Sequence, residues 1–184
     1  MDKSILTDIL VDEAAKASHQ QEYGEKKKIE GSMLVELPVF RGDDGFFVEL
    51  ARLTGQAETT KPLPPLSVAQ INYSETVPDQ IKAWHYHLKQ DEIWLIPPTT
   101  KLIVGLLDLR RSSPTKNQVL RYSLGQGKMQ ALLIPRGVAH GLSNPYPQPA
   151  GLFYLVSNTF DGTDEWRLPF DFSVGKEFWQ IQTG

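Results

Sequence analysis

The chain has 184 residues, 40% of them apolar, which is enough for one domain with a real core and too few for two ordinary ones. Its 19 lysines and arginines stand against 22 acids, and a net charge of -3 offers no general attraction to nucleic acid or to an anionic membrane. There is no cysteine, so disulfides and thiolate metal sites are excluded. No run reaches the roughly 20 apolar residues of a membrane span. The first residues carry Asp2, Asp8, Asp12 and Glu13 and do not read as a signal peptide, so a cytoplasmic protein is expected.

In chain order, the spacing predicts a helix over residues 1–24. Thr7 stands as its N-cap, Leu6 and Val11 as a flanking staple, Ile9, Leu10, Glu13, Ala14 and Ala17 give helical spacing, and Gly24 stops it. Glu25, Lys26, Lys27 and Lys28 read as a solvated connection. Residues 1–30 are therefore expected to form an N-terminal helical extension, and residues 31–184 the main domain.

From Leu34 onward short β-like runs are cut by Gly, Pro, Asp and Ser. The predicted strands are Leu34–Phe40, Phe46–Arg52, Ser67–Ser74, Ile81–His87, Ile93–Ile96, Leu102–Leu109, Gln118–Leu124, Ala131–Ile134 and Gly151–Asn158. Turn chemistry separates them at Arg41–Gly45, Pro62–Pro65, Pro97–Pro98, Ser112–Pro114, Gly125–Gly127 and Pro145–Pro149. Many short strands without intervening helical periods indicate an all-β sandwich or barrel. The aromatic tail from Asp164 onward is aperiodic and is expected to pack across the domain or onto a second copy.

Three of the four histidines fall in two windows, AWHYHLKQDEIW (Ala83–Trp94) and IPRGVAHGLSN (Ile134–Asn144). Side chains alternate along a strand, so His85 and His87 share a face. A turn at Lys89–Asp91 brings Glu92 back toward them, and the second window reads as another strand whose edge supplies His140. Written as spacings, HxH(x4)E and PxGxxH(x3)N resemble the two signature motifs of the cupin superfamily, with Pro135, Gly137 and Asn144 included. That resemblance implies a jelly-roll β-barrel. In metal-binding cupins the residues matching His85, His87, Glu92 and His140 hold a divalent transition metal, a donor set that suits a borderline ion with open positions.

A narrower resemblance covers roughly residues 36–160. The segments GFFVE (Gly45–Glu49), QINYS (Gln70–Ser74), KAWHY (Lys82–Tyr86), DLRRSSPT (Asp108–Thr115), IPRGVAHG (Ile134–Gly141) and FYLVSN (Phe153–Asn158) are similar, in order, to the dTDP-4-dehydrorhamnose 3,5-epimerase family of cupins. The resemblance implies proton abstraction beside a 4-keto group of a dTDP-sugar, without a metal cofactor, by a homodimer. It implies His85 as base, Tyr154 as the acid on the other face, and His140 as a second active-site histidine. Gln70, Asn72, Ser74, Lys82, Phe46 and Glu49 would contact the nucleotide sugar. Departures stand beside these matches. His87 and Glu92 replace a glutamine and the lysine that assists at the developing oxyanion; Asp44 and Lys82 replace two phosphate-binding arginines; Phe160 replaces a tyrosine. Asp164 and Asp171 are the candidates for the aspartate that orients the base. Two further readings follow: a metal-dependent dioxygenase or isomerase with a three-His, one-Glu site, and a catalytically inactive protein that binds sugar nucleotides.

Overall fold

The computed structural model describes residues 8–18 and 27–182. The predicted N-terminal helix is represented by α1 (Asp12–Ala17), which follows Val11 in extended backbone, so the helical pattern is broken at Leu10–Val11. The proposed cap at Thr7 and stop at Gly24 lie outside the described residues. Among the described residues, no helix is long and apolar enough to cross a membrane.

Among the described residues twelve strands follow: β1 (Met33–Leu37), β2 (Phe40–Gly42), β3 (Gly45–Phe47), β4 (Gln70–Thr76), β5 (Gln80–Tyr86), β6 (Glu92–Ile96), β7 (Lys101–Asp108), β8 (Val119–Gly125), β9 (Met129–Ile134), β10 (Val138–Asn144), β11 (Ala150–Val156) and β12 (Trp166–Arg167). They form one five-stranded sheet ordered β1-β9-β6-β11-β4 and another ordered β12-β5-β10-β7-β8, with β2 and β3 as a separate hairpin. All pairings are antiparallel, in the arrangement of a jelly-roll sandwich.

The main core lies between the two sheets: Trp94 and Ile96 of β6, Leu132 and Ile134 of β9 and Leu152 of β11 meet Val104 and Leu106 of β7 and Leu142 of β10. Both outer faces are covered as well. Leu63 and Leu66 lie over Ile93, Leu95 and Leu155, and the tail residue Trp179 packs on Trp84, Ile103 and Leu107. This double burial explains why β6 and β10 are buried at every position, polar residues included.

Two predicted strands are corrected. Leu34–Phe40 breaks at Pro38, which has no N–H to give a ladder, so β1 ends at Leu37 and the chain restarts as β2. Phe46–Arg52 keeps only β3, because Val48, Leu50 and Ala51 are used to cover the first sheet, as are Leu63 and Leu66 of the proline-rich segment. Strand β12 falls in the tail that periodicity left unassigned. The tail packs across its own domain. The Trp84 and Trp179 rings meet edge to face at 4.9 Å, Ser143 Oγ donates to the Trp179 carbonyl at 2.6 Å, and Arg121 Nε donates to the Phe178 carbonyl at 2.8 Å.

The DLRRSSPT segment proves to be structural. The buried Asp108 carboxylate accepts from Arg110 Nε (2.9 Å) and Nη2 (2.9 Å), from Ser113 Oγ (2.6 Å) and from Thr115 Oγ1 (2.7 Å). Arg110 Nη2 also donates to the Glu30 carbonyl at 2.6 Å, tying the entry of the domain to this loop. Burial alone would raise the Asp108 carboxyl, but Arg110 and the two hydroxyls outweigh it and hold it well below the usual carboxylate range.

Candidate active site

The two-residue period of the strands decides which side chains enter the space between the sheets. From the first sheet, Gln70, Asn72 and Ser74 of β4, Glu92 and Trp94 of β6, and Leu152, Tyr154 and Val156 of β11 line one cavity. The second sheet contributes Lys82 and His85 of β5, His87 just beyond its end, and His140 and Leu142 of β10. Gln90, Phe160 and Glu165 complete a cavity of about 320 Å³.

Lys82 and His85 are three apart, yet both face inward. A register irregularity accounts for this: His140 pairs with His85 and Leu142 pairs with Lys82, so two steps along β10 match three along β5. The extra residue of this bulge falls at Ala83–Trp84 and turns Trp84 to the outer face, where it is fully buried against Trp179. After β5, Asp164 holds the turn by accepting from the Leu88 N–H (2.9 Å) and the Lys89 N–H (3.0 Å) through its carboxylate. This turn delivers Glu92 at the start of β6, as the spacing predicted. The Gly137 N–H donates to the His87 carbonyl at 2.7 Å, and Gly137 adopts φ +78°, a left-handed conformation that suits glycine at the entry to β10.

On the floor of the cavity, His87 Nε2 lies 3.1 Å from Glu92 Oε1, and His140 Nε2 lies 3.7 Å from Glu92 Oε2. Gln90 Nε2 donates to Glu92 Oε1 and Trp94 Nε1 donates to Oε2, each at 2.7 Å. Both imidazoles are anchored from behind, since a carbonyl only accepts: His87 Nδ1–H donates to the Asp164 carbonyl at 2.8 Å, and His140 Nδ1–H to the Val138 carbonyl at 3.1 Å. Burial alone would lower His87, but Glu92 outweighs it and raises the imidazole to about 9. Burial would raise Glu92; His140, His87 and the Trp94 N–H hold it down to about 2. For His140 burial wins and keeps its ring below the ordinary histidine value.

His85 stands apart from this group. Burial, then the neighbouring His140 ring and the Arg167 guanidinium, push its imidazole down to about 4, so the ring is neutral at pH 7. Its ring is 6.4 Å from that of His140 by centroid, and Arg167 of β12 is its cross-strand partner. Across the cavity, Tyr154 is held above its ordinary value by burial, then by Glu92 and Glu165, and stays protonated.

Among the expected substrate contacts, the structure brings Gln70, Asn72, Ser74 and Lys82 to the cavity. Gln70 Nε2 donates to Asn72 Oδ1 at 2.7 Å, and Lys82 Nζ donates to Ser74 Oγ at 3.1 Å and to the Glu75 carbonyl. Phe46 and Glu49 are not brought there: Phe46 is exposed on the β2–β3 hairpin, and Glu49 pairs with Arg52 at 2.8 Å. Of the four expected metal ligands, His87, Glu92 and His140 have donor atoms within 4.8 Å of one another, and His85 lies outside that group. Neither candidate aspartate is seen to hydrogen-bond to His85; Asp164 supports the His87 turn instead. Gln90 and Glu165 were not foreseen, because one sits in a turn and the other in the aperiodic tail. Trp94 is both part of the core and a donor to Glu92.

Two antiparallel sheets enclosing a polar cavity with histidines on one wall and a tyrosine on the other define a cupin-like jelly roll with a small-molecule site between its sheets. Residues 26–174 match the family described as dTDP-4-dehydrorhamnose 3,5-epimerase. The chain belongs to this family of nucleotide-sugar isomerases. It is 37% identical over 145 residues to the spore coat polysaccharide biosynthesis protein SpsL of Bacillus subtilis, covering 78% of this chain and 91% of SpsL. To the probable low-salt glycan biosynthesis epimerase Agl13 of Haloferax volcanii it is 32% identical over 112 residues, covering 60% and 72% of the two chains. In fold it is similar to the crystal structure of dTDP-4-dehydrorhamnose 3,5-epimerase from Bacillus anthracis with TDP and PPi bound. The TM-score is 0.70 at 23% identity, over 86% of this chain and 90% of that one.

Proposed function

We propose that this protein epimerises a dTDP-linked 4-keto sugar by removing a proton from a carbon beside the ketone with His85 and returning one to the opposite face from Tyr154. The observation that carries the reading is that these two side chains line one cavity from opposite sheets, His85 from β5 and Tyr154 from β11. Inversion of a carbon centre needs a base on one face and an acid on the other. Family membership supports the chemistry, and the polar row Gln70, Asn72 and Ser74 with Lys82 offers donors to the sugar and its phosphates. His140 lies beside the base as a second polar contact.

The test is solvent exchange. With dTDP-4-keto-6-deoxyglucose in heavy water, deuterium enters at C3 or C5, and His85→Gln lowers the incorporation about 1000-fold; no incorporation by the wild type would sink the reading. Tyr154→Phe separates the two half-reactions: exchange persists because the base is intact, while the yield of inverted sugar falls about 100-fold.

The reading includes a cytoplasmic homodimer. The β2–β3 hairpin exposes Phe40, Phe46 and Phe47, and β4 exposes Ile71 and Tyr73. A second copy covering this apolar surface would account for Phe46 and Glu49 standing away from the cavity of their own chain. Light scattering on the purified chain should give twice the 20.7 kDa of the monomer; a monomeric mass at micromolar concentration would overturn the dimer.

A further inference from the structure

We infer that His87, Glu92 and His140 form a three-ligand site for one divalent first-row transition ion, and that His85 is not among the ligands. This deepens the proposed function and rests on it only for the ion's role in the cavity.

Three observations carry it. The first is spacing. Ligands about 2.1 Å from one ion lie about 3.0 Å apart at octahedral angles and about 3.4 Å apart at tetrahedral ones. His87 Nε2 to Glu92 Oε1 is 3.1 Å, His140 Nε2 to Glu92 Oε2 is 3.7 Å, and the donor atoms of all three residues lie within 4.8 Å of one another, within reach of one ion after side-chain adjustment. The second is orientation. Each imidazole spends its Nδ1–H on a backbone carbonyl, that of Asp164 or of Val138, which fixes the ring and turns Nε2 toward the carboxylate. This is how histidines are held at metal centres, where the outer hydrogen bond sets the tautomer. The third is the carboxylate. Glu92 is 4% exposed and is gripped by Gln90 and Trp94, one donor to each oxygen, so its position is set before any ion arrives.

Two imidazoles and one carboxylate on one side of an ion leave its remaining positions toward the cavity. Without the ion a proton bridges His87 Nε2 and Glu92 Oε1; the ion displaces it to solvent. Because His85 lies outside the group, its free ring nitrogen remains available to take a proton from substrate. The family's lysine is missing, and Lys82 is drawn toward Ser74 and the Glu75 carbonyl. An ion held by Glu92 would restore a positive charge near a developing oxyanion.

The test uses the full chain stripped with chelator and dialysed. Titration with Co(II), followed by visible absorption, should saturate at one equivalent, and Zn(II) should displace it. His87→Gln, Glu92→Gln and His140→Gln should each weaken binding about 100-fold or more, Trp94→Phe about tenfold, and His85→Gln hardly at all. Circular dichroism of each stripped variant establishes folding, and Zn(II) should raise the Tm of the wild type and of His85→Gln alone among the His and Glu variants. Absence of one-to-one binding by Co(II), Zn(II), Mn(II), Ni(II) and Fe(II), or binding that survives in Glu92→Gln, would overturn the site. Equal loss in His85→Gln would replace it with the four-ligand arrangement. The two readings fail separately: deuterium exchange without ion binding removes the metal site and leaves the epimerase, whereas binding without exchange does the reverse.

Discussion

Two buried carboxylates, Asp108 and Glu92, look alike by accessibility and differ in what surrounds them. Asp108 receives its donors from one contiguous loop, Arg110 to Thr115, which wraps it on every side and binds the Glu30 carbonyl behind it. Glu92 receives Gln90 and His87 on one oxygen and Trp94 on the other, from separate elements, and the cavity opens beside it. A carboxylate saturated by its own loop stabilises the fold; one that is aimed but left partly open is poised for a ligand. The difference lies in the source and direction of the donors, not in depth.

The sharpest way to break this comparison is to remove His85, the proposed base that shares Glu92's cavity. His85→Gln should lower solvent exchange into the keto sugar about 1000-fold, with urea unfolding close to the wild type. At the other carboxylate the effect should fall on stability. Asp108→Asn leaves Arg110 without its counter-charge and should lose about 3 kcal/mol in urea unfolding. Its exchange rate per folded molecule should not change. Glu92→Gln turns one acceptor oxygen into a donor facing Gln90 or Trp94 and removes the charge opposite His87, so it should cost about 2 kcal/mol, less than Asp108→Asn.

Acid sharpens the same contrast. The folded Asp108 carboxyl lies below its ordinary value of 3.8, so its contribution is full above that value and is lost as pH falls further and the folded carboxyl is protonated. Stability of the wild type should therefore drop from about pH 4 downward, with a shallower slope in Asp108→Asn; parallel slopes would show that the loop does not hold the charge. A smaller effect, about 2 kcal/mol from overpacking, is expected for Gly105→Ala. There a Cβ would lie 2.7 Å from both Phe178 and Trp179, and thermal unfolding would report it.

Much of the site was legible because the period of a strand is a local property. His85 with His87, and Gln70 with Asn72 and Ser74, enter one cavity as alternation requires. The turn that returns Glu92 was legible from its residues, though not the part played by Asp164, which reaches it from 75 positions away in sequence. The bulge at Ala83–Trp84 was not legible, since it exists only in the register between β5 and β10. That bulge explains why Lys82 joins His85 in the cavity. The tail resisted sequence reading for another reason: its aromatics pack singly into gaps of the outer sheet face, and such contacts impose no period.

The short strand β12 has one more consequence. It covers β5 only at His85 and Tyr86, with Trp84 and Leu168 exchanging N–H and carbonyl at 3.2 Å just beyond. Without it, β5 would be the open margin of its sheet. The backbone that carries His85 is thus closed by β12, within a tail whose Trp179 packs on the same sheet face. Amide hydrogen exchange at His85 and Tyr86 should therefore follow the opening of the C-terminal segment, and not the global unfolding that governs β7 and β10.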